Sequence, residues 1–282
     1  MKKVMVRCDI EGVTGVVSYE QAEPGKAEYA FGRQMFQSDL AALLEGLSSG
    51  GVDEVWVYDE HYYGRNVDLA ALPATVSVIC GKPPYRAEWA GGLDGSFDGL
   101  VLLGFHSKAG TAGGLLPHTY ELEIADLRLN GVSVGEIGME AAVAGDWGVP
   151  TVMVVADSAG AAEAEALLPG VVCVAVKEAL GQTGARCYPT AVTAPWIHAA
   201  AAQVAASPPP VQPYRVGEAA TLEVVLREGP YRDAVRALAP EAMADEHTLV
   251  VEGRTATEAW ASYWELKLRA QAHAAANQEG EA

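Results

Sequence analysis

The sequence predicts an α/β fold: a largely parallel sheet with flanking helices, followed by a smaller C-terminal α+β unit. Three observations carry this. Short apolar runs alternate with helical patterns through the first two thirds of the chain, the order that βαβ units and a parallel sheet require. The runs are near-continuous hydrophobics, as in strands buried on both faces. Near residue 190 the composition shifts to an Ala-rich stretch and then the proline run Ser207-Pro208-Pro209-Pro210, a stiff extended connector. The expected division is therefore residues 1–190 and 191–282, within 282 residues, a length that fits one large α/β domain or one such domain plus a smaller appendage.

In chain order, Val4 to Cys8 reads as a short buried strand. Tyr29 to Ser49 follows as an amphipathic helix, with Phe31, Met35, Leu40, Leu43, Leu44 and Leu47 at helical spacing and Gly50-Gly51 as the stop. Val55 to Tyr58, Thr75 to Ile79 and Gly99 to Gly104 are further strands. Leu127 to Leu129 and Val132 to Val134 flank Asn130-Gly131, a strong hairpin signal. A helix over Ile137 to Trp147, the strand Val152 to Ala156, a helix from Gly160 to Leu168 and the strand Val171 to Val176 complete the series. After the helix Ala194 to Ala206 come a strand at Thr221 to Leu226, a helix near Tyr231 to Leu238, a strand at Thr248 to Val251 and a helix over Ala256 to Ala272. The polar end, Asn277 to Ala282, is expected to fray.

The formal net charge is -18, which disfavours nucleic acid and anionic membrane surfaces as partners. Much of that charge serves solubility, and it also suits an enzyme that binds cations. No apolar segment approaches the ~20 residues of a membrane span. Met1-Lys2-Lys3 leads into a short strand rather than a signal-peptide core. Four cysteines without a C-x-x-C pair, three of them in apolar runs (Cys8, Cys80, Cys173), read as buried reduced thiols of a cytoplasmic protein.

The polar residues of interest lie where apolar strands end. Val4–Cys8 runs into Asp9-Ile10-Glu11-Gly12, Val55–Tyr58 into Asp59-Glu60-His61, and Leu100–Leu103 into Gly104-Phe105-His106. Ligands of open α/β sheets bind beyond the carboxyl ends of the strands, so three strands deliver carboxylate and imidazole to one edge. Asp9 and Glu11 project from one face about 6.6 Å apart along an extended chain, and such a pair repels itself unless a cation lies between. Taken singly, each has a plain alternative: a solvated strand-end pair for Asp9 and Glu11, a loop histidine for His61, a core histidine for His106. Glu136, between Gly135 and Gly138 at a helix start, is equally a first-turn acid favoured by the helix dipole. Together the carboxylates and imidazoles form a donor set that suits zinc and related divalent ions. His118, in the loop Gly113–Thr119, is placed either to move a proton beside such a site or simply to face solvent. Glu140 is a turn beyond Glu136, and Asp157 and Lys177 end two further strands. The sequence carries no G-x-S-x-G elbow, P-loop or H-E-x-x-H helix.

Five segments, in order, resemble the bacterial D-aminopeptidases encoded with dipeptide transporters. They are Cys8-Asp9-Ile10-Glu11-Gly12-Val13-Thr14-Gly15, Asp59-Glu60-His61, Leu103-Gly104-Phe105-His106-Ser107, Gly114-Leu115-Leu116-Pro117-His118-Thr119 and Asn130 to Gly138. The resemblance covers Met1 to about Pro189 and is weak beyond. It implies a binuclear zinc aminopeptidase releasing the N-terminal residue of short peptides, with D-amino-acid peptides of the D-Ala type as substrates and two Zn2+ per subunit. It also implies a homo-oligomeric ring, ten subunits in the family's best-known form. Carried over, Asp9 bridges the ions, Glu11 and His106 complete one, His61 and Glu136 the other, and His118 is the catalytic histidine. Residues 1–190 then form the catalytic domain, and 191–282 serve assembly or gating. Two other readings share these residues: an amidase or phosphoesterase on the same site, with Asp157 and Lys177 suiting an anionic substrate, and a non-catalytic, metal-dependent peptide-binding protein.

Overall fold

The apolar runs that lead to Asp9, Asp59, His106, Asp157 and Lys177 become strands of one sheet. The computed structural model describes residues 1–280. From the N-terminus come β1 (Lys3–Cys8), α1 (Tyr19–Ala22), α2 (Tyr29–Ser49), β2 (Glu54–Asp59), β3 (Val76–Ile79) and β4 (Gly99–Phe105). The hairpin β5 (Ile124–Leu129) and β6 (Val132–Ser133) precedes α3 (Gly135–Asp146), β7 (Thr151–Asp157), α4 (Ser158–Leu167), β8 (Val172–Ala179) and β9 (Ala185–Cys187). The remainder is α5 (Thr190–Ala206), β10 (Ala220–Leu226), α6 (Pro230–Leu238), β11 (Thr248–Gly253) and α7 (Ala256–Gly280). The last helix runs to Gly280, past the point where fraying was expected, and Glu281 and Ala282 lie outside the described residues.

The main sheet has seven strands in the order β3-β2-β1-β4-β7-β8-β9. All its pairings are parallel except that of the edge strand β9 with β8. The strand order reverses between β1 and β4, so this doubly wound sheet opens a crevice at their carboxyl ends, where such folds bind ligands. Side chains divide by strand alternation: Val4, Val6 and Cys8 enter a core under α2 and α5, while Met5, Leu100 and Leu102 enter one shared with α3, α7 and the second sheet.

The second sheet is antiparallel, in the order β11-β10-β5-β6. It takes β5 and β6 from before residue 190 and β10 and β11 from after it, so the α+β layer is built from both sides of the expected division. The Asn130-Gly131 turn has φ of 49° and 77°, the left-handed pair that a two-residue hairpin turn demands. The Asn130 side chain ties this turn to the Val216 and Ala219 carbonyls. Cys80 is exposed rather than buried, because it follows β3, an outer strand whose residues are themselves only half-buried. No described helix is long and apolar enough to cross a membrane.

Two glycines let the ends of β1 and β4 meet. Gly12 N–H donates to the Gly104 carbonyl at 2.7 Å, and a Cβ at Gly12 would lie 1.7 Å from the Phe105 carbonyl oxygen. Gly104, at φ 79°, faces Asp9 so closely that a Cβ would lie 2.1 Å from the Asp9 carbonyl oxygen. The turn carrying Asp9 and Glu11 is thereby pressed against the segment carrying His106.

Candidate metal centre

The crevice gathers all six singled-out residues. Asp9 follows β1, His61 lies just past β2, His106 follows β4 and Glu136 is the second residue of α3. His118 comes from the loop between β4 and β5. Asp9, Glu11, His61, His106 and Glu136 are buried, and His118 is half-buried. Asp9 is central: its Oδ1 lies 2.7 Å from His61 Nδ1 and its Oδ2 3.3 Å from His106 Nε2. His61 Nδ1 is also 3.2 Å from Glu11 Oε2. His106 Nε2 is 3.3 Å from Glu136 Oε1, and His118 Nε2 is 3.9 Å from the same oxygen.

Backbone carbonyls orient all three imidazoles. His61 Nε2 faces the Ala22 carbonyl at 2.8 Å, His106 Nδ1 the Ser107 carbonyl at 3.0 Å, and His118 Nδ1 the Leu116 carbonyl at 2.9 Å. A carbonyl can only accept, so each of these nitrogens carries a proton, which leaves the opposite nitrogen as the one able to ligate a metal. This is the arrangement by which metal-ligating histidines are held. The His118 ring stacks on His106 at 4.0 Å and 8°, and the Tyr19 ring meets its edge at 5.6 Å. Leu116 and Tyr120, flanking His118, both have positive φ, 48° and 57°, strain of about 1–3 kcal/mol each that collects at functional sites.

Acids and imidazoles in this cluster shift one another strongly. Burial pushes the Asp9 carboxyl up, yet His106 and His61 beside it hold it well below the ordinary range. Burial likewise works against Glu136, and His106 brings it below the usual value. The two imidazoles respond in kind: burial lowers them, but Glu11 and Asp9 lift His61, and Glu136 and Asp9 lift His106, well above 6.5. Even so, Glu11 Oε2 and His106 Nε2 are buried without a hydrogen-bond partner, both aimed into the cluster. Orphaned donor atoms, a carboxylate–imidazole set and fixed tautomers fit a divalent metal. The ligand atoms fall into two groups, each within 4.8 Å: Asp9, Glu11 and His61, and His106, His118 and Glu136. His61 thus stands with Glu11, and His106 with Glu136, a partition different from the one the resemblance implied.

The sequence profile of the D-aminopeptidase family matches residues 1–264. The chain belongs to the D-aminopeptidase family. A curated D-aminopeptidase of Bacillus subtilis (strain 168) is 32% identical over 187 residues, 66% of this chain and 67% of that protein. The solved structure of the Zn-dependent D-aminopeptidase DppA from Bacillus subtilis, described as a self-compartmentalizing protease, superposes with a TM-score of 0.87 at 26% identity. That likeness covers 96% of this chain and 97% of the other. Family membership makes the chain an enzyme, a peptidase, and reaches through β10, β11 and into α7, where the sequence motifs had faded.

Around the centre of this D-aminopeptidase lies a polar frame that the sequence did not disclose. Asp59 accepts from Asn66 N–H at 2.5 Å and from its side chain at 2.7 Å, and Asn66 also donates to the His61 carbonyl, so the loop bearing His61 is pinned. Arg7, fully buried, pairs with Glu140, whose other oxygen accepts from the Tyr120 hydroxyl at 2.7 Å. Glu140 is therefore engaged apart from the candidate metal ligands. Lys177 is also fully buried, donating to the carbonyls of Glu11, Val13 and Val16. Asp157 caps α4 through Ala159 and Gly160 N–H. Both are fully buried and engaged by backbone groups, which removes the feature that favoured an anionic substrate. The only advance signals for these roles were apolar neighbours in sequence, implying that Arg7 and Lys177 had to find buried partners.

Proposed function

We propose that this D-aminopeptidase is a binuclear zinc enzyme that removes the N-terminal residue from short peptides, D-Ala-type peptides in particular. The observation that carries the reading is Asp9, whose two oxygens face two different imidazoles, His61 at 2.7 Å and His106 at 3.3 Å. A carboxylate shared between two ligand groups is the bridging element of two-metal hydrolases. Asp9, Glu11 and His61 would hold one ion, and Asp9, His106 and Glu136 the other. The zinc dependence of DppA supports that metal. Zinc bound there supplies Lewis acidity to the scissile carbonyl and makes water a nucleophile near neutral pH.

His118 is the residue left to act on substrate. Its Nδ1 is committed to the Leu116 carbonyl and its ring is clamped between His106 and Tyr19, so its Nε2 is fixed at the mouth of the cluster. From there it moves a proton or hydrogen-bonds the oxygen that gains charge at the reacting carbonyl. His118→Ala is expected to lower kcat about 10²–10⁴-fold while elemental analysis finds the zinc content unchanged. Full turnover in that variant with metal bound would remove His118 from the reaction.

Zinc uptake is coupled to protons. In the metal-free protein the carboxylates hold His61 and His106 well above 6.5, so both are charged at pH 7, whereas a ligand imidazole must be neutral. Loading at pH 7 is expected to release about one proton from each, and apparent affinity is expected to rise with pH. Calorimetry in buffers of different ionisation enthalpy measures this, and a buffer-independent heat would contradict it. The self-compartmentalizing assembly described for DppA supports a homo-oligomeric ring of this chain as part of the proposal, and its mass in solution tests that.

A further inference from the structure

We infer that Glu60 is the acceptor for the free ammonium of the peptide's N-terminal residue, which enters a small ring-walled cavity beside the metal cluster. The inference rests on the aminopeptidase reading above and names how that site would recognise its substrate. The cavity measures about 30 Å3, opens beside Asp9 and Glu136, and is bounded by Glu60, Tyr85, Trp260 and Trp264 among others.

Glu60 stands out there by what it lacks. Its side chain is 14% exposed, and its carboxylate has only long contacts, the Tyr85 hydroxyl at 3.4 Å and Arg7 at 3.7 Å. Arg7 is engaged elsewhere, with Glu140, the Tyr85 hydroxyl at 2.7 Å and the Ala90 carbonyl at 2.5 Å. Lys82, on the same cavity, donates to the Glu60 backbone carbonyl and not to its carboxylate. Glu140, the neighbouring acid, is closed by Arg7 and Tyr120. Asp9 and Glu136 belong to the metal cluster in the proposed function. One carboxylate therefore faces the cavity with acceptor capacity unused, in aromatic surroundings where an ammonium is strongly preferred over a neutral amide.

Size points the same way. A water needs about 10–15 Å3 of such space, so the cavity takes about two water-sized groups. An ammonium and a methyl group are expected to fit better than a leucyl side chain. Trp260 and Trp264 lie on α7, which makes the C-terminal helix the wall that limits the residue released.

The test uses the zinc-loaded full chain with three p-nitroanilides, those of D-alanine, N-acetyl-D-alanine and D-leucine. Wild type is expected to favour the free D-alanine substrate over the other two at least tenfold in kcat/KM. Glu60→Gln is expected to raise KM for D-alanine p-nitroanilide about 10- to 100-fold, leave kcat within a few fold and keep the zinc. Glu60→Asp, which retains the charge, is expected to recover part of the KM. Trp264→Ala is expected to raise relative kcat/KM on the D-leucine substrate at least tenfold. An unchanged KM in Glu60→Gln, a fall in its zinc content, or equal wild-type rates on free and acetylated substrates would each overturn the inference and leave the peptidase reading standing. Wild-type zinc protein inactive on all three would overturn the reading itself. If Glu60→Gln does not fold, the Glu60→Asp and wild-type comparisons still decide.

Discussion

Asp9→Ala is expected to lower turnover at least about a thousandfold and to leave the protein with little bound zinc. In the proposed two-ion site both halves would share this one carboxylate, whose Oδ1 lies toward His61 and Oδ2 toward His106, so its removal would take a ligand from each ion at once. The several kcal/mol of charge stabilisation that metals give a hydrolytic transition state then disappears. Folding should suffer far less. Asp9 pushes the Glu136 carboxyl up, so the metal-free site is already a set of buried acids that repel one another, and deleting one relieves part of that repulsion. The opposing loss is the partner of His61 and His106, whose raised values would fall toward the ordinary imidazole range. The expected pattern is a chelated wild type and an Asp9→Ala protein that melt close together, with added zinc raising Tm only for wild type. An Asp9→Ala enzyme with full zinc and near-normal turnover would sink the bridging role. Activity loss through unfolding alone would appear as a low Tm in the metal-free comparison.

The features legible in the sequence were those set by local pattern. α2 spans Tyr29–Ser49 as its helical spacing and Gly50 stop require, and Asn130-Gly131 makes its hairpin because few residues tolerate two positive φ values in succession. The ends of β1, β2 and β4 announced Asp9, His61 and His106 because buried runs stop at polar residues, and a parallel sheet turns every such stop to one edge. What was not legible depends on contacts between distant segments. β10 pairs with β5, with Leu222 opposite Leu129, and no local signal says which apolar strand finds which. The ligand grouping turned on which carbonyl takes each imidazole proton. For His61 that carbonyl belongs to Ala22, in a short helix without an amphipathic signature. Lys177 looked like a strand-end cation awaiting an anion, and instead its partners are carbonyls of an irregular loop, groups that sequence reading seldom counts as acceptors.

That loop gives the largest effect expected on stability. Lys177→Met keeps the length and apolar stem of the side chain and deletes three hydrogen bonds, to Glu11 at 2.5 Å, Val13 at 2.7 Å and Val16 at 2.5 Å. The segment from Glu11 to Val16 lies between β1 and α1, outside regular structure, so these carbonyls have no ladder to return to. Each acceptor left dry costs about 1–3 kcal/mol. Part is recovered, because burial pulls the Lys177 ammonium down to about 8 against the attraction of Asp157, and methionine carries no charge to desolvate. A net loss of about 3 kcal/mol of stability is the expected balance. The chain should still fold, since Thr14 in the same segment stays tied to Asp39 through its N–H at 2.8 Å and its hydroxyl at 2.9 Å. With that second tether in place, the residue released is Glu11, whose own carbonyl is one of the three. Zinc affinity is accordingly expected to fall about 10–100-fold, the usual cost of losing a group that orients a ligand, with kcat largely restored at saturating zinc. Denaturant melts of the chelated protein and zinc titrations separate the two effects. Unchanged stability together with unchanged affinity would show that the ammonium is dispensable and that the β1 turn, pressed against β4 at Gly12 and Gly104, holds Glu11 without it.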